Sequence, residues 1–112
     1  MGESILNTIK SMMGSDDTYE AFDTDFIVLI NAAFAHLNDL GAGPSDPFEI
    51  TGDTETWDDY TEDKFVKAMA KQFVYLDVKL KFDPPTSSFV LKSFEDMRKE
   101  CEWRIERCTS EL

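Results

Sequence analysis

Histidine is nearly absent from this chain: His36 is the only one among 112 residues. A histidine cluster for a metal ion is therefore excluded, and His36 itself falls at the edge of an apolar helical stripe, where a boundary side chain is the plainer reading than a catalytic one. Cysteine is almost as scarce. Cys101 and Cys108 lie seven apart in a segment that reads as helix, a rise of about 10.5 Å, too far for a disulfide within one chain. With no histidine or second cysteine pair nearby, a zinc site is not expected, and two free thiols in a reducing compartment are. No phosphate-cradling glycine loop is present, and no nucleophile elbow. Apolar runs stay well short of the roughly 18 residues a membrane span needs. The first residues have no basic segment ahead of an apolar run, so no signal peptide is expected, and Leu6 stands where a myristoylation signal requires Ser or Thr. These absences point to a soluble intracellular protein that is not an enzyme, without catalytic, metal-ligating or cofactor-binding residues.

Basic residues are also few, 11 against 23 acids, for a net charge of −12. The imbalance is confined to one half. Residues 1–63 hold fifteen acids and one base, Lys10, whereas residues 64–112 hold ten bases and eight acids. Without a basic stripe the chain is not expected to bind nucleic acid through phosphates. The acidity serves solubility, or it lets an acidic half of one subunit face a more basic half of its neighbour.

What the chain does have is apolar residues, 42% of the total, and helical periodicity in four segments. The first, about Ser4 to Met13, places Ile5, Leu6, Ile9, Met12 and Met13 on one face, with Ser4 as cap and Gly14 as stop. A polar connector, Ser15 to Phe22, follows. The second runs from about Thr24 to Leu40, with Asp23 as N-cap and a broad stripe of Phe26, Ile27, Leu29, Ile30, Ala33, Phe34, Leu37 and Leu40. Gly41 and Pro44 end it. The third, about Thr61 to Phe82, lines Phe65, Met69, Ala70, Phe73, Leu76 and Leu80 along one face, and Asp83-Pro84-Pro85 stops it. The fourth, about Ser88 to Cys108, carries a narrow stripe of Val90, Phe94, Met97, Cys101, Ile105 and Cys108 at nearly heptad spacing. At about 21 residues it would extend roughly 31 Å, long enough for part of it to serve a partner.

Residues 41–60 form a long connection between the second and third helices, and connections of that length are often functional. Phe48 to Thr51 alternates, Gly52-Asp53 can turn and Thr54 to Trp57 can pair back, which allows a short β-hairpin. The plainer reading of Phe48, Ile50 and Trp57 is a lid on one end of the bundle. The acidic run Asp53 to Lys64 fails as a calcium loop, because Asp58 replaces the turn glycine and Lys64 the bidentate glutamate. It reads as solvated acids leading into the third helix, with Asp59 and Glu62 at capping-box spacing. The chain as a whole is one all-α domain, residues 1–112: a small four-helix bundle with a long loop.

Several stretches together carry a family resemblance: Ile5-Leu6-Asn7-Thr8-Ile9-Lys10; Asp23-Thr24-Asp25 opening a helix that closes on Leu37-Asn38-Asp39-Leu40-Gly41-Ala42-Gly43-Pro44; Trp57 with Asp58 and Asp59; Phe73 to Lys79; Phe82-Asp83-Pro84-Pro85-Thr86-Ser87-Ser88-Phe89-Val90; and Glu102-Trp103-Arg104. This pattern resembles the head–tail connector proteins (head-completion or adaptor proteins) of long-tailed bacteriophages and prophages, and the likeness covers nearly the whole chain. The resemblance implies a helical structural protein of the virion neck, present in the host cytoplasm during assembly. Such a protein docks as a ring on the portal protein after DNA packaging, extends the DNA channel and meets the next neck or tail-completion protein. Subunits would contact one another in the ring, with monomers in solution allowed, and DNA would pass without specific binding. No cofactor and no membrane partner is implied.

On that reading the acidic half would line or flank a channel that repels phosphates, and two unlike faces of one subunit would meet. The candidate protein-interface residues are Trp57, Asp58, Asp59, Trp103, Arg104 and Arg107, since aromatic and Arg side chains dominate interface energetics. For Trp103 the competing reading is packing on the bundle. The principal alternative function is an acidic DNA mimic or other small phage inhibitor or regulatory binding protein. Its acids would then need to form regular rows, but here they cluster in connectors and helix starts.

Overall fold

The computed structural model describes residues 3–14 and 20–110 and shows an all-helical chain, with no strand among the described residues. Its elements are α1 (Ile5–Met12), α2 (Asp23–Asp39), α3 (Trp57–Tyr60), α4 (Lys64–Phe82) and α5 (Ser88–Ser110). The described residues thus form five helices where periodicity marks four, because a single turn such as α3 is too short to show a period. The Ser15–Phe22 connector falls largely on residues 15–19, outside those described.

Local chemistry sets most of the ends. Ser4 caps α1, its Oγ accepting from the Asn7 N–H at 3.2 Å. The α2 C-terminus is a Schellman turn: Gly41 takes φ +89°, the Ala42 N–H reaches the Leu37 carbonyl at 3.0 Å and the Gly41 N–H reaches Asn38 at 3.0 Å. The start of α2 corrects the expectation from sequence. Asp23 is the first helical residue and not its cap; Phe22 occupies that position without a side-chain bond. The Asp23 carboxylate instead pairs at 2.8 Å with Lys10, which is only 1% exposed. A buried ammonium needs a counter-charge more than a helix end needs a cap.

The connection also differs from the expected hairpin. Asn31 on α2 clamps Ile50 on both sides, accepting from its N–H at 2.8 Å and donating to its carbonyl at 3.0 Å. Backbone that a hairpin would have used pairs instead with the start of the chain: Ile5 N–H to the Glu55 carbonyl at 3.0 Å and Trp57 N–H to the Glu3 carbonyl at 3.2 Å. Glu55 closes the intervening turn by accepting from Thr51 and Gly52. Desolvation raises its pKa, but these hydrogen bonds outweigh that and hold it below the usual carboxylate value. Asp59 forms a capping box with Thr56 at the head of α3, not with Glu62. Asp63 caps α4 instead, accepting from Phe65 at 2.9 Å and Val66 at 3.0 Å, so that helix begins at Lys64 and not Thr61.

Helix α4 is the centre of the molecule, packed by α2 on one side and α5 on the other. Two buried faces explain why Val66, Val74 and Val78 join Ala70, Phe73 and Leu76 in the core, beyond the single stripe read from sequence. Phe26 near the start of α2 meets Phe82 at the end of α4, centroids 4.6 Å apart, so these helices are antiparallel. Phe65 at the start of α4 lines a cavity with Cys108 near the end of α5, and Leu80 and Lys81 at the end of α4 line another with Lys92 near the start of α5, so α5 is antiparallel to α4 and parallel to α2. The body is slab-like, 39 × 35 × 19 Å.

Phe34, Phe48, Trp57 and Tyr60 pack together where the connection closes over the bundle. Phe48, Ile50 and Trp57 do form the lid. Gly43 makes room for it: a Cβ there would stand 2.6 Å from the Tyr60 ring, and its φ of +80° already favours glycine. The Tyr60 hydroxyl is buried without a hydrogen-bond partner, and burial pushes its pKa up to about 12. The phenol therefore holds its proton more tightly folded than unfolded. Its contribution is intact below pH 10 and is lost between pH 10.0 and about 12 as the unfolded chain deprotonates first. We expect unfolding free energy to fall by about 2 kcal/mol across that window. Urea titrations at stepped pH should show Tyr60→Phe removing that slope, while leaving neutral-pH stability within about 1 kcal/mol of wild type.

Candidate functional site

The six candidate residues separate into two groups. Trp57 is 1% exposed, its indole N–H donating to Thr8 Oγ1 at 3.2 Å, so its ring is core and out of a partner's reach. Asp58 and Asp59 beside it are exposed, and both are engaged. Asp58 pairs with Lys67, whose hydrogen bond and charge lower the aspartate pKa. Asp59 is held in the α3 capping box.

Trp103, Arg104 and Arg107 do come together on the outside of α5. Trp103 is 55% exposed, and the Arg107 guanidinium lies 4.8 Å above its ring. Arg104 makes only a loose surface pair with Glu100, 3.4 Å away. With Phe65 and Cys108 these residues line an open groove of about 460 Å³ at the junction of the α4 start and the α5 end. Phe65 corrects the sequence assignment: read as a core position, it is 47% exposed and walls this groove. The capped first turn of α4 turns it outward, while Val66 takes the inner place.

The expected α5 stripe is likewise only partly covered. Cys101 and Ile105 are buried, but Val90 is 39% exposed and Met97 37%. Burial raises the Cys101 pKa, which disfavours its thiolate. Toward the helix start, Phe89 is 80% exposed. This 23-residue helix therefore buries only Cys101 and Ile105 of its described residues and leaves aromatic groups standing out at Phe89 near its start and at Trp103 in its far half.

One polar network fixes α5 against the bundle. His36 Nε2 meets Glu102 Oε2 at 3.0 Å, Glu102 Oε1 accepts from Arg98 at 2.7 Å, and Arg98 Nε donates to Asp77 at 2.8 Å. The Phe73 ring lies between, with the His36 ring stacked 5.3 Å to one side and the Arg98 guanidinium 4.9 Å away. His36 is thus a positioning side chain joining α2 to α5, as its boundary place on the stripe suggests.

Exposed Trp, Phe and Arg around an open groove, on a helix anchored by a partly buried polar network, suit protein recognition. Among the described residues no helix is long and apolar enough to cross a membrane, and no three metal-ligating side chains gather. Residues 5–111 match the family model described as phage connector protein. The comparison with curated proteins gave no match, and neither did the comparison with solved structures.

Proposed function

Since this chain belongs to the phage connector protein family, we propose that it is a structural neck protein that docks as a ring on the portal after DNA packaging, extends the DNA channel and joins head to tail. The observation that carries the reading is the family match across 5–111. The surface around Trp103 supports it, because a docking protein needs a few projecting anchors on a rigid element. So does the charge pattern. Fifteen of the acids lie in the first 63 residues, and an acidic wall repels phosphates and lets a DNA strand slide past.

The partners in this reading are the portal protein, further copies of the chain and the next neck or tail-completion protein. The DNA-mimic alternative is less well supported. Such an inhibitor needs rows of unengaged acids, whereas Glu55, Asp58, Asp59 and Asp63 are committed to a turn, an ion pair and two helix caps.

Docking is tested by mixing the purified chain with DNA-filled heads that lack it and sedimenting the particles. Wild type should co-sediment. Trp103→Ala should lose at least tenfold in affinity, about 1.4 kcal/mol or more, with its far-UV dichroism and melting within about 0.5 kcal/mol of wild type. Equal binding by the variant would remove Trp103 as an anchor. Wild-type chain that stays in the supernatant would remove the portal-docking reading.

A further inference from the structure

The outward faces of α2 and α5 are complementary. α2 buries Phe26, Ile30, Ala33, Phe34 and Leu37. Opposite them a second stripe runs the length of the helix: Asp25, Val28, Ala32, Ala35 and Asp39, at alternating spacings of three and four, all exposed, with Ala21 in the preceding turn exposed as well. Val28 is 61% exposed, an apolar side chain on a face that none of the described residues covers. This face is flat and small-featured, and its only charges are two carboxylates fourteen residues apart, about 21 Å along the axis.

The outer face of α5 is its counterpart. Phe89 projects from it one residue into the helix and Trp103 two turns before its end, and Lys92 and Arg107 stand fifteen residues apart, about 22 Å along the axis, with Asp96 and Glu100 between them paired to Lys92 and Arg104. Within one subunit α2 and α5 run parallel on either side of α4, so copies set side by side in the same orientation bring the α5 of one beside the α2 of the next.

We infer that the α5 outer face of one copy packs parallel onto the α2 outer face of a second copy, with Lys92 against Asp25, Trp103 against Ala32 and Ala35, and Arg107 against Asp39. One register serves all three contacts: the offset is 67 residues for Lys92–Asp25 and 68 for Trp103–Ala35 and Arg107–Asp39, with Ala32 lying about one turn before Ala35 on the same face. Small side chains let a helix approach closely enough for an indole to lie across it. The Lys92 ammonium is held in its own subunit only by an exposed pair to Asp96 at 3.5 Å, which exchanges for an intersubunit partner at little loss. Because the two faces differ, the contact is heterologous and each added copy presents a fresh face, so repetition yields a ring or an open filament and not a closed dimer. The inference supplies the subunit contact for the ring proposed above, so Trp103 anchors one copy to the next and its loss weakens docking on the heads through loss of the ring; it rests on that reading only for where the assembly docks.

Charge exchange tests it. In sedimentation velocity at low salt and high protein concentration, wild type should form species larger than dimers. Asp39→Arg and Arg107→Glu should each weaken association at least tenfold, and the double variant Asp39→Arg/Arg107→Glu should restore it. A second measurement covers the case of weak association. In a Cys101→Ala/Cys108→Ser background with native dichroism, Val28→Cys plus Asp96→Cys treated with a short bismaleimide should give a ladder of multimers. Thr24→Cys plus Lys99→Cys, out of register by several residues, should not. Failure of the double variant to restore association, absence of the ladder, or an equal ladder from the mismatched pair would overturn the pairing. Finding the chain in filled heads while the ladder fails rejects this contact alone, and leaves the neck reading standing.

Discussion

Replacing Trp57 by alanine is expected to lower unfolding free energy by about 3–5 kcal/mol, the usual result of emptying a fully buried aromatic site. The ring is 1% exposed and touches three parts of the chain: Phe34 of α2 at 5.9 Å between centroids, Thr8 of α1 through its indole N–H at 3.2 Å, and the Lys71 ammonium of α4, 5.9 Å over its face. None of these elements can close the void without releasing the connection, because Ile50 is clamped to Asn31 and Glu55 and Trp57 to the chain start. For a domain of this size, stabilised by roughly 5–15 kcal/mol in total, the melting temperature should drop by roughly 15–30 °C. Urea unfolding followed by dichroism gives the number. A loss under about 1 kcal/mol would mean that the ring is not the keystone of the lid. Trp103→Ala, at the exposed tryptophan, should barely move the same curve, so the two tryptophans distinguish folding from docking.

Arg98→Met carries the second large effect. Asp77 is 1% exposed and held by Arg98 at 2.8 Å and by Lys81 at 3.1 Å, whose ammonium stands half in solvent. Methionine keeps the length of the aliphatic stem but removes the guanidinium over Phe73 and the link to Glu102, and leaves a buried carboxylate with one rim partner. A loss of about 3 kcal/mol is expected. Adding Asp77→Leu should recover most of it, since two apolar groups replace a pair whose desolvation offset much of its attraction. The double-mutant cycle should therefore give a coupling above about 1 kcal/mol. Additive losses would mean that Asp77 and Arg98 act separately.

The sequence made the helices legible because their ends are written in local chemistry: Ser4, Gly41 and Asp83-Pro84-Pro85 act within one turn of themselves. What it concealed depends on distant partners. Asp23 looks like a cap until Lys10 claims it, and the 48–57 alternation looks like a hairpin until Asn31 and the chain start take its backbone groups. The candidate surface was legible at Trp103, Arg104 and Arg107, where aromatic and basic residues sit on a polar helix face. Trp57 could not be distinguished from them, because residue type does not report depth. The outer stripe of α2 was missed for a related reason. That helix is apolar nearly all round, so Val28 and its alanines blend into the broad core stripe until the structure shows which side faces α4. Phe65 was misassigned because its exposure depends on where Asp63 starts the helix.

The most direct test of the neck assignment is mass spectrometry of particles from an induced phage, separated into empty proheads, DNA-filled heads and free tails. The account predicts this chain in filled heads and finished virions but not in empty proheads, as for a component added after packaging. Its absence from every particle fraction would contradict a structural role at the head–tail junction.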